Sequence, residues 1–130
     1  MLVILDSSML MLPLEKKINI TLELERIISS SFSIVIPRIV LVELKKLEEK
    51  GKTSLKQKAI FAQQLANSFE ILDSEVEGNT DLELERLAVK HSAVVATNDA
   101  ELRLKLLNKG LAVIALRGDN RLEFFGQEEI

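Results

Sequence analysis

Ala93-Val94-Val95-Ala96-Thr97-Asn98-Asp99 joins a short apolar run to a polar turn that ends in a carboxylate. The apolar part reads as a buried strand, and Asp99 lies just past its carboxyl end. The start of the chain repeats the arrangement, with Leu2-Val3-Ile4-Leu5 followed by Asp6. In open parallel α/β sheets, ligands bind in the crevice beyond the carboxyl ends of the strands. Two acids delivered there by two separate strands are the beginnings of a metal site.

The segments between these strands read as alternating helices and strands. Ser7-Ser8 is expected to cap a short helix limited by Pro13, and Thr21 to Ser29 has a helical pattern. Phe32 to Ile36 is a β-rich run closed by Pro37. Arg38 to Lys50 carries an apolar stripe of Ile39, Val40, Leu44 and Leu47 and ends at Gly51, placed as a C′ residue. A further helix runs from Thr53 to about Asn67, followed by a strand at Phe69 to Leu72. Thr80-Asp81-Leu82-Glu83 matches a capping box with Thr80 as N-cap, opening a helix that reaches His91. Asn98-Asp99-Ala100-Glu101 gives a second such pattern, before a helix that stops at Gly110. Leu111 to Leu116 is an all-apolar strand, and Leu122 to Phe125 is a candidate terminal one. Strands alternating with helices of about 10–15 residues predict an α/β fold, with a mainly parallel central sheet covered on both faces.

A chain of 130 residues without repeats, linkers or low-complexity tracts is expected to form one domain, residues 1–130. Its 47% hydrophobic content suits a folded core. No apolar run approaches the roughly 18 residues of a membrane span, and the first residues are too short for a signal-peptide core. Cysteine is absent, which excludes disulfides and thiolate metal sites and fits a cytoplasmic location. The single histidine, His91, rules out a site built from several imidazoles, and it is assigned no chemistry. A net charge of −3 is not the footprint of a protein that grips nucleic acid through bulk positive field. The positive charge is nevertheless clustered, in Lys45 to Lys58 and in Arg103 to Arg121. Such clusters read either as solvated helix faces or as phosphate-contact surface. Phe124-Phe125 is read as core packing or oligomer contact.

Four of the 20 acids stand apart. Asp6 and Asp99 follow buried strands, Asp81 opens a helix, and Glu43 projects from the apolar side of its helix among Ile39, Val40 and Leu47. Singly, each has an ordinary explanation: βα-turn acids for Asp6 and Asp99, a helix-dipole partner for Asp81, a buried ion pair for Glu43. Together they would repel one another unless a cation neutralised them. Hard oxygen ligands without Cys suit Mg²⁺ or Mn²⁺. Such ions commonly sit on phosphates, which makes metal-assisted phosphodiester hydrolysis the natural reaction class.

The sequence resembles the PIN-domain ribonucleases. Val3-Ile4-Leu5-Asp6-Ser7-Ser8 resembles that family's opening strand–Asp motif, Val42-Glu43-Leu44 its helical Glu, and Thr80-Asp81 its third acid at a helix start. Thr97-Asn98-Asp99-Ala100-Glu101-Leu102 resembles its Thr-Asn-Asp signature, and the resemblance as a whole runs from about residue 2 to residue 125. The length and the Leu116-Arg117 and Arg121-Leu122 elements look most like archaeal stand-alone PIN proteins related to rRNA-processing nucleases. The resemblance implies a three-layer α/β/α sandwich, divalent-metal-dependent cleavage of single-stranded RNA, and a homodimer. It assigns Asp6, Glu43, Asp81 and Asp99 to metal and catalysis, with Ser8 or Thr97 orienting them by hydrogen bonding. Ser7-Ser8 stands where many relatives have Thr-Asn, so the supporting hydroxyl is shorter. Glu101 is a candidate fifth acid, with helix capping as its expected role. Two other readings of the same fold stay open: a VapC-like toxin held by an antitoxin peptide, and a binding module of RNA processing with little turnover.

Overall fold

Strand β1 (Leu2–Leu5), with no exposed surface from Val3 to Leu5, occupies the middle of the sheet. In the computed structural model, which describes residues 1–126, the chain continues through α1 (Ser7–Glu15), α2 (Ile20–Ile27) and β2 (Ser33–Pro37). Next come α3 (Arg38–Lys50), α4 (Thr53–Ala66), β3 (Glu70–Leu72) and α5 (Thr80–His91). The described part ends with β4 (Val94–Ala96), α6 (Ala100–Asn108), β5 (Val113–Arg117) and β6 (Arg121–Phe125).

The six strands form one sheet in the order β3-β2-β1-β4-β5-β6. β1 pairs in parallel with β2 on one side and β4 on the other, and β3 and β5 extend the parallel array. β6 turns back antiparallel against β5, pairing Val113 with Phe125 and Arg117 with Arg121. The expected mainly parallel α/β/α sandwich is the observed architecture. Right-handed crossovers explain its layers, because the chain moves one way from β1 to β3 and the other way from β4 to β5. α1, α3 and α4 accordingly pack on one another, while α5 packs on β1 and β4, and α6 on β5. One apolar cluster runs through all the layers, from Ile4, Leu10 and Leu44 to Leu84, Leu102 and Ile114.

The helix starts differ from expectation by one residue. Asp6, not Ser7 or Ser8, caps α1, its Oδ1 accepting the Met9 N–H at 2.9 Å. Asn79, not Thr80, caps α5 through Leu82 N, and Asp99, not Asn98, caps α6. An Asx carboxyl or amide oxygen reaches the N2 or N3 amide, and each of these residues stands beside another capping type, so both frames fit the sequence. The shift also removes both expected capping boxes. Glu83 instead accepts from the Glu75 amide and from Arg86, tying the loop before α5 to the helix. Pro13 does not end α1, which runs two residues further to Glu15. Gly51 closes α3 with φ −75°, so it is no left-handed C′ residue. A Cβ there would lie 2.5 Å from the Leu47 carbonyl oxygen, and this close approach is what glycine permits.

Candidate active site

The strand order reverses between β1 and β4, where the two diverging halves leave a crevice at their carboxyl ends. Register does the positioning: Leu5 lies opposite Ala96, so Asp6 and Thr97 emerge side by side. The Asp6 amide still reaches the Ala96 carbonyl, at 3.3 Å, and the Thr97 amide reaches Ile114 at 2.9 Å. Both residues are therefore anchored to the sheet before their side chains enter the crevice.

Asp6 is buried, and four donors are arranged around it or its neighbours. Its Oδ1 accepts from Ser8 Oγ at 2.8 Å and from the Met9 amide at 2.9 Å; its Oδ2 accepts from Thr97 Oγ1 at 2.5 Å. Ser8 Oγ also lies 3.2 Å from Thr97 Oγ1 and accepts the Asn98 amide at 2.9 Å. Ser8 and Thr97, the two orienting residues expected from the sequence, thus both hold this carboxylate. Burial nevertheless dominates its titration. Desolvation pushes the Asp6 pKa up to about 6, against the hydrogen bonds from Thr97, Met9 and Ser8, and nearby Glu43 adds to the rise.

Glu43 enters from α3, a helix that touches both α1 and α5. It is half-buried, and Ser7 Oγ donates to its Oε1 at 2.6 Å. Asp99 is linked to the same cluster through the backbone: its amide donates to Thr97 Oγ1 at 3.0 Å. Its own Oδ1 accepts the Glu101 amide at 2.9 Å and the Leu102 amide at 3.3 Å. One oxygen of Asp99 is spent on capping α6, and Oδ2 has no donor among the described residues.

Asp81 sits on the first turn of α5, and its carboxylate faces Lys105 of α6, with Oδ2 and Nζ 3.6 Å apart. Glu101 reaches the same ammonium, also at 3.6 Å. Glu101 is therefore one member of an acid–lysine–acid bridge rather than the capping residue expected of it. Asp6, Glu43 and Asp99 are joined through Ser7, Ser8 and Thr97, whereas Asp81 reaches the site through Lys105 and the start of α6. Among the described residues, no three carboxylates lie close enough to hold an ion as the side chains stand. The donor chemistry still suits a hard dication: the oxygens are carboxylate and hydroxyl, and a buried acid that resists ionisation gains most from a cation.

Two contributors fall outside the set expected from sequence. Ser7 was visible only as a capping residue next to Asp6; its partner lies 36 positions away. Lys105 stands four residues after Glu101, a spacing that signals a helical ion pair but not the second partner, Asp81.

A reversing α/β sheet with carboxylates set about its switch point is the architecture of a nuclease domain, and the comparisons agree with it. The PIN-like domain family matches residues 3–119, and the chain belongs to that family. Ribonuclease VapC4 of Methanocaldococcus jannaschii is 29% identical over 125 residues, covering 93% of this chain and 94% of the relative. Ribonuclease VapC9 of Archaeoglobus fulgidus is 33% identical over 119 residues, covering 92% and 85%. Among solved structures, the PIN domain endonuclease Utp24 superposes with a TM-score of 0.76 at 23% identity, over 96% of this chain and 92% of that one. A domain of a functionally unknown protein from M. jannaschii superposes at 0.65 with 16% identity, over 99% and 95%. At these identities the two structures speak for the fold alone.

Proposed function

We propose that the chain is a divalent-metal-dependent endoribonuclease that hydrolyses phosphodiesters in single-stranded RNA. The observation that carries the reading is the Asp6–Thr97–Asp99 network at the switch point: a buried carboxylate is held by three donors yet kept hard to ionise. A cation bound beside it would favour its ionised form. The two relatives named as ribonucleases, matched over nearly their whole length, support the choice of RNA.

In this reading Asp6, Glu43, Asp81 and Asp99 hold the Mg²⁺ or Mn²⁺. The chemistry a bound dication supplies is a water of lowered pKa and relief of charge on the phosphate during in-line displacement. The chain's own residues set the stage for it. Ser8, Thr97 and the Met9 amide keep the Asp6 carboxylate in one orientation, Ser7 does the same for Glu43, and the α6 cap fixes Asp99. Lys105 keeps Asp81 beside α6 and partly neutralised.

The test is RNA cleavage by wild type, Asp6→Asn and Asp99→Asn in Mn²⁺ and in excess EDTA. Cleavage by wild type only, and only with metal, is the expected result; activity in EDTA or in either variant overturns it. If Mn²⁺ binds and no RNA is cut, the binding-module reading replaces this one. A toxin within a toxin–antitoxin pair is a second reading, favoured by the VapC names of both relatives. Growth arrest on expression, relieved by a copurifying peptide, separates it from an RNA-processing role. A homodimer belongs to the same proposal, supported by the exposed Leu82, Val89 and Leu104 on α5 and α6. Light scattering of the purified chain checks it.

A further inference from the structure

Beside the acids lies a cavity of about 190 Å³ whose lining includes Thr97, Asn98, Ala100, Arg103, Ala115 and Leu116. It shares Thr97 with the carboxylate network, the residue that donates to Asp6 and accepts the Asp99 amide. Its walls are small or apolar apart from Asn98, Thr97 and one cation, Arg103. That cation is placed unusually. Its guanidinium carbon lies 4.9 Å from the centroid of the Phe125 ring, within cation–π range. Near the carboxyl ends of the strands, Arg38 faces Asp73, Lys105 faces Asp81 and Glu101, and Arg117 faces Glu123, while Arg121 at the β5–β6 turn has no carboxylate partner among the described residues and does not line the cavity. Arg103 has no carboxylate partner and no hydrogen-bond acceptor for its guanidinium among the described residues, although Asp99 and Glu101 are four and two positions away. The amides at the start of α6 are already taken by Asp99 Oδ1. The unpaired donor in the cavity lining is therefore Arg103 and not the helix terminus.

We infer that this cavity is a substrate subsite in which Arg103 grips a backbone phosphate of the RNA strand adjacent to the one that is cut. The inference rests on single-stranded RNA being the substrate. The electrostatics favour such a contact. A surface carrying Asp6, Glu43, Asp81, Asp99 and Glu101 repels a polyanion, and any bound metal is shared with the scissile phosphate. A second positive group, in the lining of the cavity that includes Thr97 and without a carboxylate partner among the described residues, gives the strand a fixed register. Arginine suits the task because its planar fork donates two parallel hydrogen bonds to phosphate oxygens. The Phe125 ring holds that fork in place and lowers the entropy lost when the strand binds.

The experiment is fluorescence anisotropy with a labelled single-stranded oligouridylate in Ca²⁺, titrated at several KCl concentrations, alongside cleavage of the same RNA in Mn²⁺. One phosphate contact to a single strand contributes about 0.7 to the slope of log Kobs against log[salt]. Arg103→Gln is expected to flatten the slope by about that amount and to raise KM about three- to tenfold. Arg103→Lys is expected to keep the slope while losing part of the affinity. Phe125→Leu, which retains the charge, is expected to keep the slope too, and it controls for the packing role of the pair. An unchanged slope in Arg103→Gln with an unchanged melting temperature overturns the inference, as does absence of RNA binding by wild type. If Arg103→Gln fails to fold, Arg103→Lys with an equal slope and a raised KM supports the inference, and Arg103→Lys with both slope and KM unchanged overturns it. Absence of cleavage by wild type with the slope difference intact removes the nuclease reading and leaves Arg103 as a contact to RNA phosphate alone. Normal cleavage with identical slopes does the reverse.

Discussion

Thr97 Oγ1 lies 2.5 Å from Asp6 Oδ2 and 3.0 Å from the Asp99 amide nitrogen, so a single hydroxyl joins the acid after β1 to the acid after β4. It donates to one and accepts from the other, and it is fully buried. A hydroxyl in that position can be replaced in shape but not in function by a methyl group. Thr97→Val is expected to cost about 1–3 kcal/mol of stability, the usual penalty for stranding a buried polar partner. Cleavage should fall about 10- to 100-fold, as it does when an outer-shell partner of a metal ligand is lost. Thr97→Ser should restore most of both. Equal activity in Thr97→Val and wild type would show that the network does not orient Asp6.

Asp6 itself predicts an unusual stability profile. Its folded-state pKa is about 6 against an ordinary 3.8, so between those values the folded chain holds a proton that the unfolded chain has released. Stability must then fall as pH rises from about 4 to about 6 and stay level above it. The size of the loss is of the order of a few kcal/mol, since each unit is worth about 1.4 kcal/mol. Asp6→Asn carries no such charge. In EDTA at pH 8 it is expected to melt several degrees above wild type, with the difference vanishing near pH 4. Millimolar Mn²⁺ should reverse the order, because a ligand that binds only the folded state stabilises it. Melting curves at four pH values, with and without Mn²⁺, check all three statements. A lower melting temperature for Asp6→Asn in EDTA at pH 8 would mean that its hydrogen bonds outweigh the cost of burying its charge.

The strands were legible because a parallel sheet covered on both faces leaves continuous apolar runs, such as Leu2 to Leu5 and Leu111 to Leu116. The acids after β1 and β4 were legible for the same reason: a carboxylate next to such a run has few places to go. The caps were less so. Asp6-Ser7-Ser8, Asn79-Thr80 and Asn98-Asp99 each offer adjacent residues able to cap, and only the backbone chooses between them. The choice matters at Asp6, which both starts α1 and enters the site, and at Asp99, which does the same for α6. Contacts across the chain were invisible. Nothing in the sequence pairs Ser7 with Glu43 or Asp81 with Lys105, because the folding of α3 and α5 against their neighbours brings those groups together. The turn of β6 back against β5 has a local cause in the short Gly118-Asp119-Asn120 loop, yet its direction does not follow from an apolar pattern.

Ser7 donates to Glu43 at 2.6 Å, the only hydrogen bond that the Glu43 carboxylate makes among the described residues. Removing it frees a carboxylate side chain that has several rotatable bonds. Ser7→Ala is expected to weaken Mn²⁺ affinity about tenfold, at the low end for an outer-shell partner, with kcat reduced in proportion at subsaturating metal. Saturating Mn²⁺ should recover most of the activity, which Glu43→Gln should not. Calorimetric titration of both variants distinguishes an orienting role for Ser7 from a purely structural one.

Lys105 stands 3.6 Å from both Asp81 and Glu101, so it competes with any cation for Asp81. The ion pairs are well exposed to solvent, and the competition is correspondingly mild; exposed pairs contribute about 0.2–1 kcal/mol. Lys105→Met is therefore expected to tighten Mn²⁺ binding about two- to fivefold, with little change in melting temperature in EDTA. The effect should shrink as KCl is raised, since screening weakens the lysine's hold on the acids in the wild type. Asp81→Asn in the same background should abolish the gain, because it removes the group for which ammonium and metal compete. Weaker metal binding in Lys105→Met would place Lys105 as a support for Asp81, and Asp81 would then reach the metal from the position that the lysine gives it.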